Sequence, residues 1–191
     1  NPLADPYILG ISGGSALGAI IGISTGMAVL PLGVPLPAFL GAAVTVILVL
    51  AAGGSVKGFS SGTMLLAGVI VNAFFSALIM LVLSLSSHAD LQKVIFWLMG
   101  NLSLAEPEEI LLTGLVLLAG FSIAWLHARS INLISLGEET AIHLGVAVER
   151  TRMILLLSGS LLTAVAVSFS GTVGFVGLII PHMMRMLLGA D

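Results

Sequence analysis

Three successive segments, Ile8–Leu30, Val34–Val56 and Met64–Leu85, hold no Asp, Glu, Lys or Arg anywhere along their length. A helix needs roughly 20 predominantly apolar residues to cross the hydrocarbon core of a bilayer. Such a helix satisfies its own backbone polar groups where no water is present to do so. Further stretches of this kind follow at Ile110–Leu126, Met153–Ser170 and Gly171–Leu188, the last shorter and interrupted by Pro181. With 58% hydrophobic residues, 8% charged residues and a mean hydropathy of +1.21, the chain could not hide its apolar surface from water as a soluble domain. The expected fold is all-α, a polytopic transmembrane helical bundle with about six membrane helices. Pro31, Pro35 and Pro37 mark a tight connection after the first span, because proline cannot continue a helix interior. A glycine, lysine and serine stretch at Gly53–Gly62 ends the second span. The polar interval Ser86–Glu109 surrounds an apolar Val94–Met99 core that includes Trp97, and reads as an interfacial helix with loops.

The few charges orient the bundle. Cytoplasmic loops of membrane proteins carry the excess of Lys and Arg. Lys57, the group Arg129, Arg150 and Arg152, and Arg185 are all separated by even numbers of spans. They therefore fall on one side, which places residues 1–7 in the cytoplasm and the acidic Ser86–Glu109 interval outside. Six scattered basic residues and a net charge of −3 give no footprint for nucleic acid. The lack of cysteine removes disulfides, thiolate catalysis and cysteine-based metal centres. The sequence opens at Asn1 without a basic leader and closes soon after an apolar run, so it reads as a single partial transmembrane domain, 1–191, cut at both ends.

Small residues predict where helices meet. Gly14, Gly18 and Gly22 recur every fourth position and lay a glycine stripe along the first span, where another helix can approach closely. Gly171, Gly174 and Gly177 form a second series at three-residue spacing, which suits either close packing or a loosened helix near Pro181.

Several chemistries have little support. Proton relays need ionisable groups inside the membrane, and the five clearest spans hold none, which weighs against a proton-coupled secondary transporter. No G-x-x-x-x-G-K-[ST] phosphate loop is present: Gly53-Gly54-Ser55-Val56-Lys57-Gly58 has the lysine without the spacing. An ATPase driving transport would be a separate chain. His88, His127, His143 and His182 lack the close helical spacing that would put two metal ligands on one face, so no metal site is expected. Gly10-Ile11-Ser12-Gly13 fits the G-x-S-G pattern of intramembrane serine proteases, with His182 as the conceivable base. The surroundings of His182 lack the small residues that would bring the two helices together.

The interval His127–Arg152 contains Leu136-Gly137-Glu138-Glu139-Thr140-Ala141-Ile142-His143-Leu144-Gly145. Acids in its first turn suit a helix dipole, and the closing glycine suits a helix end. A short exposed helix results, serving either as a lever for a soluble motor or as an element lying on the membrane.

Particular residues then carry a resemblance. Asn1-Pro2-Leu3-Ala4-Asp5-Pro6 with Leu9-Gly10 and Ser12-Gly13, Leu65-Leu66-Ala67-Gly68-Val69, Trp97-Leu98-Met99-Gly100, Leu136-Gly137-Glu138-Glu139 with Leu144-Gly145-Val146, and Gly174–His182 with Arg185 occur in one order. Together they resemble the FecCD-type (BtuC-like) permease family of ABC importers for iron-siderophores, haem and cobalamin. The resemblance implies a permease of about ten helices, each of roughly 20 apolar residues, of which this chain would supply about the third to the eighth. It implies alternating access in the cell membrane without a cofactor on this chain. ATP and Mg would be bound by two separate ATPase subunits, alongside a second permease subunit and an extracytoplasmic substrate-binding protein. By the same resemblance Asn1 and Leu3 form one cytoplasmic constriction, and Ser60 and Ser61 the other. Asn72 and Ser76, one turn apart, line the pathway. The helix carrying Glu138, Glu139, Ala141 and Leu144 couples to the ATPase, the acids flanking basic and polar groups there and Ala141 and Leu144 supplying apolar contact.

Overall fold

The computed structural model describes residues 9–30, 32–53, 61–102, 106–174 and 176–189. Among them the chain forms α1 (Ile11–Ser24), α2 (Pro35–Gly53), α3 (Ser61–Leu85), α4 (His88–Met99), α5 (Pro107–Leu126), α6 (Ala128–Ser135), α7 (Glu138–His143), α8 (Val148–Ser170) and α9 (Val176–Leu188). Of these, α2, α3, α5 and α8 are long and apolar enough to cross a membrane. The other two expected spans correspond to α1 and α9, which have 14 and 13 residues.

Two boundaries differ from the sequence expectation. The first span stops at Ser24 because the Thr25 hydroxyl donates to the Ile21 carbonyl at 2.8 Å and Gly26 turns into the left-handed region at φ 75. A single 3₁₀ turn, Met27–Val29, carries the chain onward. At 1.5 Å per residue α1 is about 21 Å long, well short of the roughly 30 Å hydrocarbon core. At the other end of the chain, α9 runs through Pro181 unbroken. One proline removes one i→i−4 bond, and the interruption lies earlier, in the non-helical stretch 171–174.

The short helix is the centre of the bundle. Ten of its residues are buried, from Ile11 to Ile23, as expected for a helix that is apolar all round. It contacts α2, α3, α4 and α8. The glycine stripe makes its approach to α2 a backbone contact. A Cβ on Gly14 would meet the Thr45 hydroxyl and lie 2.5 Å from the Gly41 carbonyl oxygen, and one on Gly18 would meet the Pro37 carbonyl. A Cβ on Gly41 would in turn strike the Gly14 carbonyl. Without a hydrophobic driving force between helices in lipid, such close van der Waals packing is a principal source of association. Thr45, fully buried at this crossing, satisfies its hydroxyl on the Gly41 carbonyl at 2.8 Å.

Two apolar clusters secure the ends of α1. Near its start Ile11 packs with Ala42 of α2 and Ala164 of α8, and near its end Ile20 and Ile23 pack with Val94 of α4. Thus α4, expected at the interface, also reaches the core: Val94 is fully buried, while Ile95, Phe96 and Met99 remain exposed. Ser87 caps it, its hydroxyl accepting from the Asp90 N–H at 3.3 Å. The outermost long helix is α5, of which 6% is buried, against 33% of α8. It docks on α8 where Gly120 leaves room for Leu162: a Cβ there would lie 2.6 Å from the leucine methyls.

Candidate coupling surface and pathway

At one end of the bundle the chain leaves α5, turns at His127 and runs through α6 and α7 into α8. Glycine sets both limits of α7. Gly137 precedes it at φ 129, and Gly145 follows it at φ 83, angles that L side chains rarely adopt. At the second limit the Gly145 N–H donates to Ile142 O and the Val146 N–H to Ala141 O, each at 2.9 Å. This is the paired-bond termination of a Schellman motif. The expected short helix therefore forms and ends at the expected closing glycine, with Gly137 as its other limit.

Its side chains divide into inward and outward sets. Ala141 is fully buried, whereas Ile142 is 57% and Leu144 59% exposed. Glu138 forms an ion pair with Arg152 of α8 at 3.0 Å, and Glu139 is exposed. The outward face thus offers an acid beside two apolar side chains. Ala141 serves packing within the chain, and Glu138 already has a basic partner there. An outward contact role for Ile142 and the pairing of Arg152 with Glu138 were not expected from the sequence. The exposed isoleucine in a short polar helix was a usable signal for the first, but the pairing across 14 positions left none.

The residues assigned to constrictions lie largely outside the described part of the chain. Asn1, Leu3 and Ser60 lie outside the described residues, as does the side chain of Ser61, whose backbone opens α3. Asn72 and Ser76 share a helix but differ in setting. Asn72 is half-buried against α1, where a Cβ on Gly13 would meet its Oδ1 and one on Gly10 would lie 3.3 Å from its Cβ. Ser76 is exposed and donates its hydroxyl to the Asn72 carbonyl at 2.9 Å. The conceivable protease pair is separated in character: Ser12 is buried at the start of α1 and His182 is exposed on α9.

The opposite end is fastened by two motifs that are 74 positions apart. Thr172 Oγ1 donates to the Leu98 carbonyl, and the Asn101 N–H donates to the Ser170 carbonyl at 2.9 Å. Gly171 allows this approach, because a Cβ there would strike the Trp97 carbonyl. Gly171 is the first member of the second glycine series, and Gly174, the second, has open space around it. Thr172→Val keeps the shape and removes the donor, leaving the Leu98 carbonyl without it. The expected loss is about 1 kcal/mol of stability, measured as a lowered melting temperature of the purified protein in detergent.

Beside this junction lies a cavity of about 610 Å³ lined by Lys93, Phe96, Trp97, Glu109 and Phe169 among others. A second of about 420 Å³ shares Ala28, Val34, Pro35, Glu109 and Phe169 with it and adds Glu106 and Glu108. Among the described residues no group of three or more His, Asp or Glu side chains could hold a metal ion.

Comparison with known proteins agrees with this architecture. The sequence profile of the FecCD transport family matches residues 1–191. The cobalamin import system permease protein BtuC of Halobacterium salinarum is 38% identical over 191 residues, covering 100% of this chain and 51% of the relative. The hemin transport system permease protein HmuU of Yersinia pestis is 37% identical over 204 residues, covering 100% and 58%. A solved structure of a metal-chelate type ABC transporter in an inward-facing conformation superposes with a TM-score of 0.88 at 36% identity, covering 100% of this chain and 60% of that one. The chain spans about half the length of these two curated relatives, 51% and 58%. With its full length matched and its helices superposed, this chain belongs to the FecCD transport family.

Proposed function

We propose that this chain forms the central part of the membrane-spanning permease of an ATP-driven importer, and that α7 is its docking element for a separate ATPase. The observation that carries the reading is the small helix held between Gly137 and Gly145 at the end of the long helices, with Ile142, Leu144 and Glu139 facing outward. An exposed apolar pair beside an acid, on a helix anchored by the buried Ala141, suits a protein partner better than water. Relatives named for cobalamin, hemin and iron(3+)-hydroxamate are almost equally similar to this chain, at 38%, 37% and 38%. The cargo class is therefore iron-siderophore, haem or cobalamin, with selection resting on an extracytoplasmic binding protein.

The assembly would hold this permease, a second permease subunit, two ATPases that bind ATP and Mg, and the binding protein, in the cell membrane. Movement of α7 by the ATPases would open the pathway alternately to each side. Asn72 and Ser76 would line it, and Asn1, Leu3, Ser60 and Ser61 would close it on the cytoplasmic side, where residues 1–7 also lie. The proton-coupled alternative is disfavoured by α2 and α3, whose sequences contain no ionisable residue.

Orientation is tested with a membrane-impermeant thiol reagent on single-cysteine variants of the full-length permease. Glu139→Cys should label only in inside-out vesicles, and Glu108→Cys only in right-side-out ones. Labelling of both from the same side would overturn the arrangement.

A further inference from the structure

The ion pair between Glu138 and Arg152 joins the helix proposed to meet the ATPase to a long helix of the bundle. Six-residue α7 hangs between two glycines, Gly137 and Gly145, and around Gly145 no atom would touch an added side chain. Each glycine is tied by one turn hydrogen bond, Gly137 N–H to Ile134 O at 3.1 Å and Gly145 N–H to Ile142 O at 2.9 Å, and a helix this short has little stiffness of its own. Beyond these turns and the packing of α7 on α6, three contacts oppose swinging of α7. Ala141 is fully buried, and the Val146 N–H closes on its carbonyl. The third, Glu138 to Arg152 at 3.0 Å, links the side chain at the first position of α7 to the second turn of α8. The first two fasten the C-terminal half of α7, so only the ion pair fastens its start among these three.

We infer that Arg152 is a positioning residue for energy coupling: through Glu138 it makes α7 and α8 move together, so that displacement of α7 by the ATPase reaches the pathway. This rests on the reading of α7 as the ATPase-docking helix. The pair is partly open to water, with Glu138 53% and Arg152 31% exposed. Exposed pairs add little to stability, so loss of Arg152 should spare the fold and act on transmission. An ion pair held at a fixed distance transmits a push as well as a pull. A broken one lets the ATPase turn over while α7 swings on its glycines.

The test uses the full-length permease reconstituted in proteoliposomes with its ATPase and binding protein, reading ATP hydrolysed per substrate imported. Arg152→Gln should raise that ratio about threefold or more, in keeping with the modest strength of a partly exposed pair. Arg150→Gln, which removes a neighbouring exposed charge, should leave it unchanged. The exchange Glu138→Arg with Arg152→Glu should restore the ratio, a rescue that a general loss of stability would not show. If Arg152→Gln does not assemble, the exchanged pair decides alone: restored assembly and ratio support the inference, and failure to restore them overturns it. An unchanged ratio in assembled Arg152→Gln also overturns it. Cross-linking of Ile142→Cys to the ATPase separates the two readings. No cross-link removes the docking reading and the inference with it, whereas a cross-link with an unchanged ratio removes the inference alone.

Discussion

Gly18→Leu in the full-length permease is expected to prevent the α1–α2 pair from closing, with loss of most folded protein. The obstacle is backbone: a Cβ on Gly18 meets the Pro37 carbonyl and lies 3.1 Å from the Ala38 Cα. A flexible side chain could rotate aside, but the Pro37 carbonyl moves only if the whole of α2 does. Overpacking of an ordinary core costs about 1–3 kcal/mol, and separating two backbones would exceed this by also opening the Gly14–Gly41 contact one turn away. The penalty falls on α1, the one helix in contact with α2, α3, α4 and α8, so it spreads through both clusters built on Ile11 and Ile20. Ile21→Leu, on the exposed side of the same helix, keeps side-chain volume and should retain wild-type yield. Monodisperse yield and melting temperature in detergent are the readouts. A Gly18→Leu protein melting together with Ile21→Leu would contradict the proposed crossing.

The second large effect is expected from replacing Ile142 and Leu144 together by aspartate. Both side chains are more than half exposed, so the permease should insert and fold normally. Burying an isoleucine or leucine against a partner stabilises by about 1.5–3 kcal/mol each, and two carboxylates in their place would have to be desolvated to dock. Association with the ATPase should weaken by at least about 100-fold, taking the two residues' combined minimum of about 3 kcal/mol at tenfold per 1.4 kcal/mol. Transport should fall to background. Co-purification of the ATPase with tagged permease measures the first, and substrate uptake the second. Unimpaired co-purification would show that α7 is not the docking element.

The residues show why some of this architecture was legible. Hydrophobic segments long enough to span a bilayer are local properties, and each of the six predicted spans contains a helix. The stripe Gly14–Gly18–Gly22 was also readable, because its spacing alone puts three residues on one face, although the partner α2 was not. The helix between Gly137 and Gly145 was marked by its own ends. What escaped depends on atoms distant in sequence. Nothing near Gly171 announces that it lies on the Trp97 carbonyl, and nothing near Glu138 names Arg152. Periodicity likewise put Asn72 and Ser76 on one face, yet the first lies against Gly10 and Gly13 of α1 while the second is exposed. The length of α1 was overestimated because hydropathy continued through Gly26, where backbone conformation ended the helix.

The central claim is that this chain belongs to a conduit driven by ATP from another subunit. Its most direct test is uptake of labelled ferric siderophore, haem and cobalamin into proteoliposomes holding the full-length permease, its ATPase and its binding protein. Accumulation of one of these, dependent on hydrolysable ATP and on the binding protein, is the predicted result. Accumulation that proceeds without ATP and follows an imposed proton gradient would contradict it.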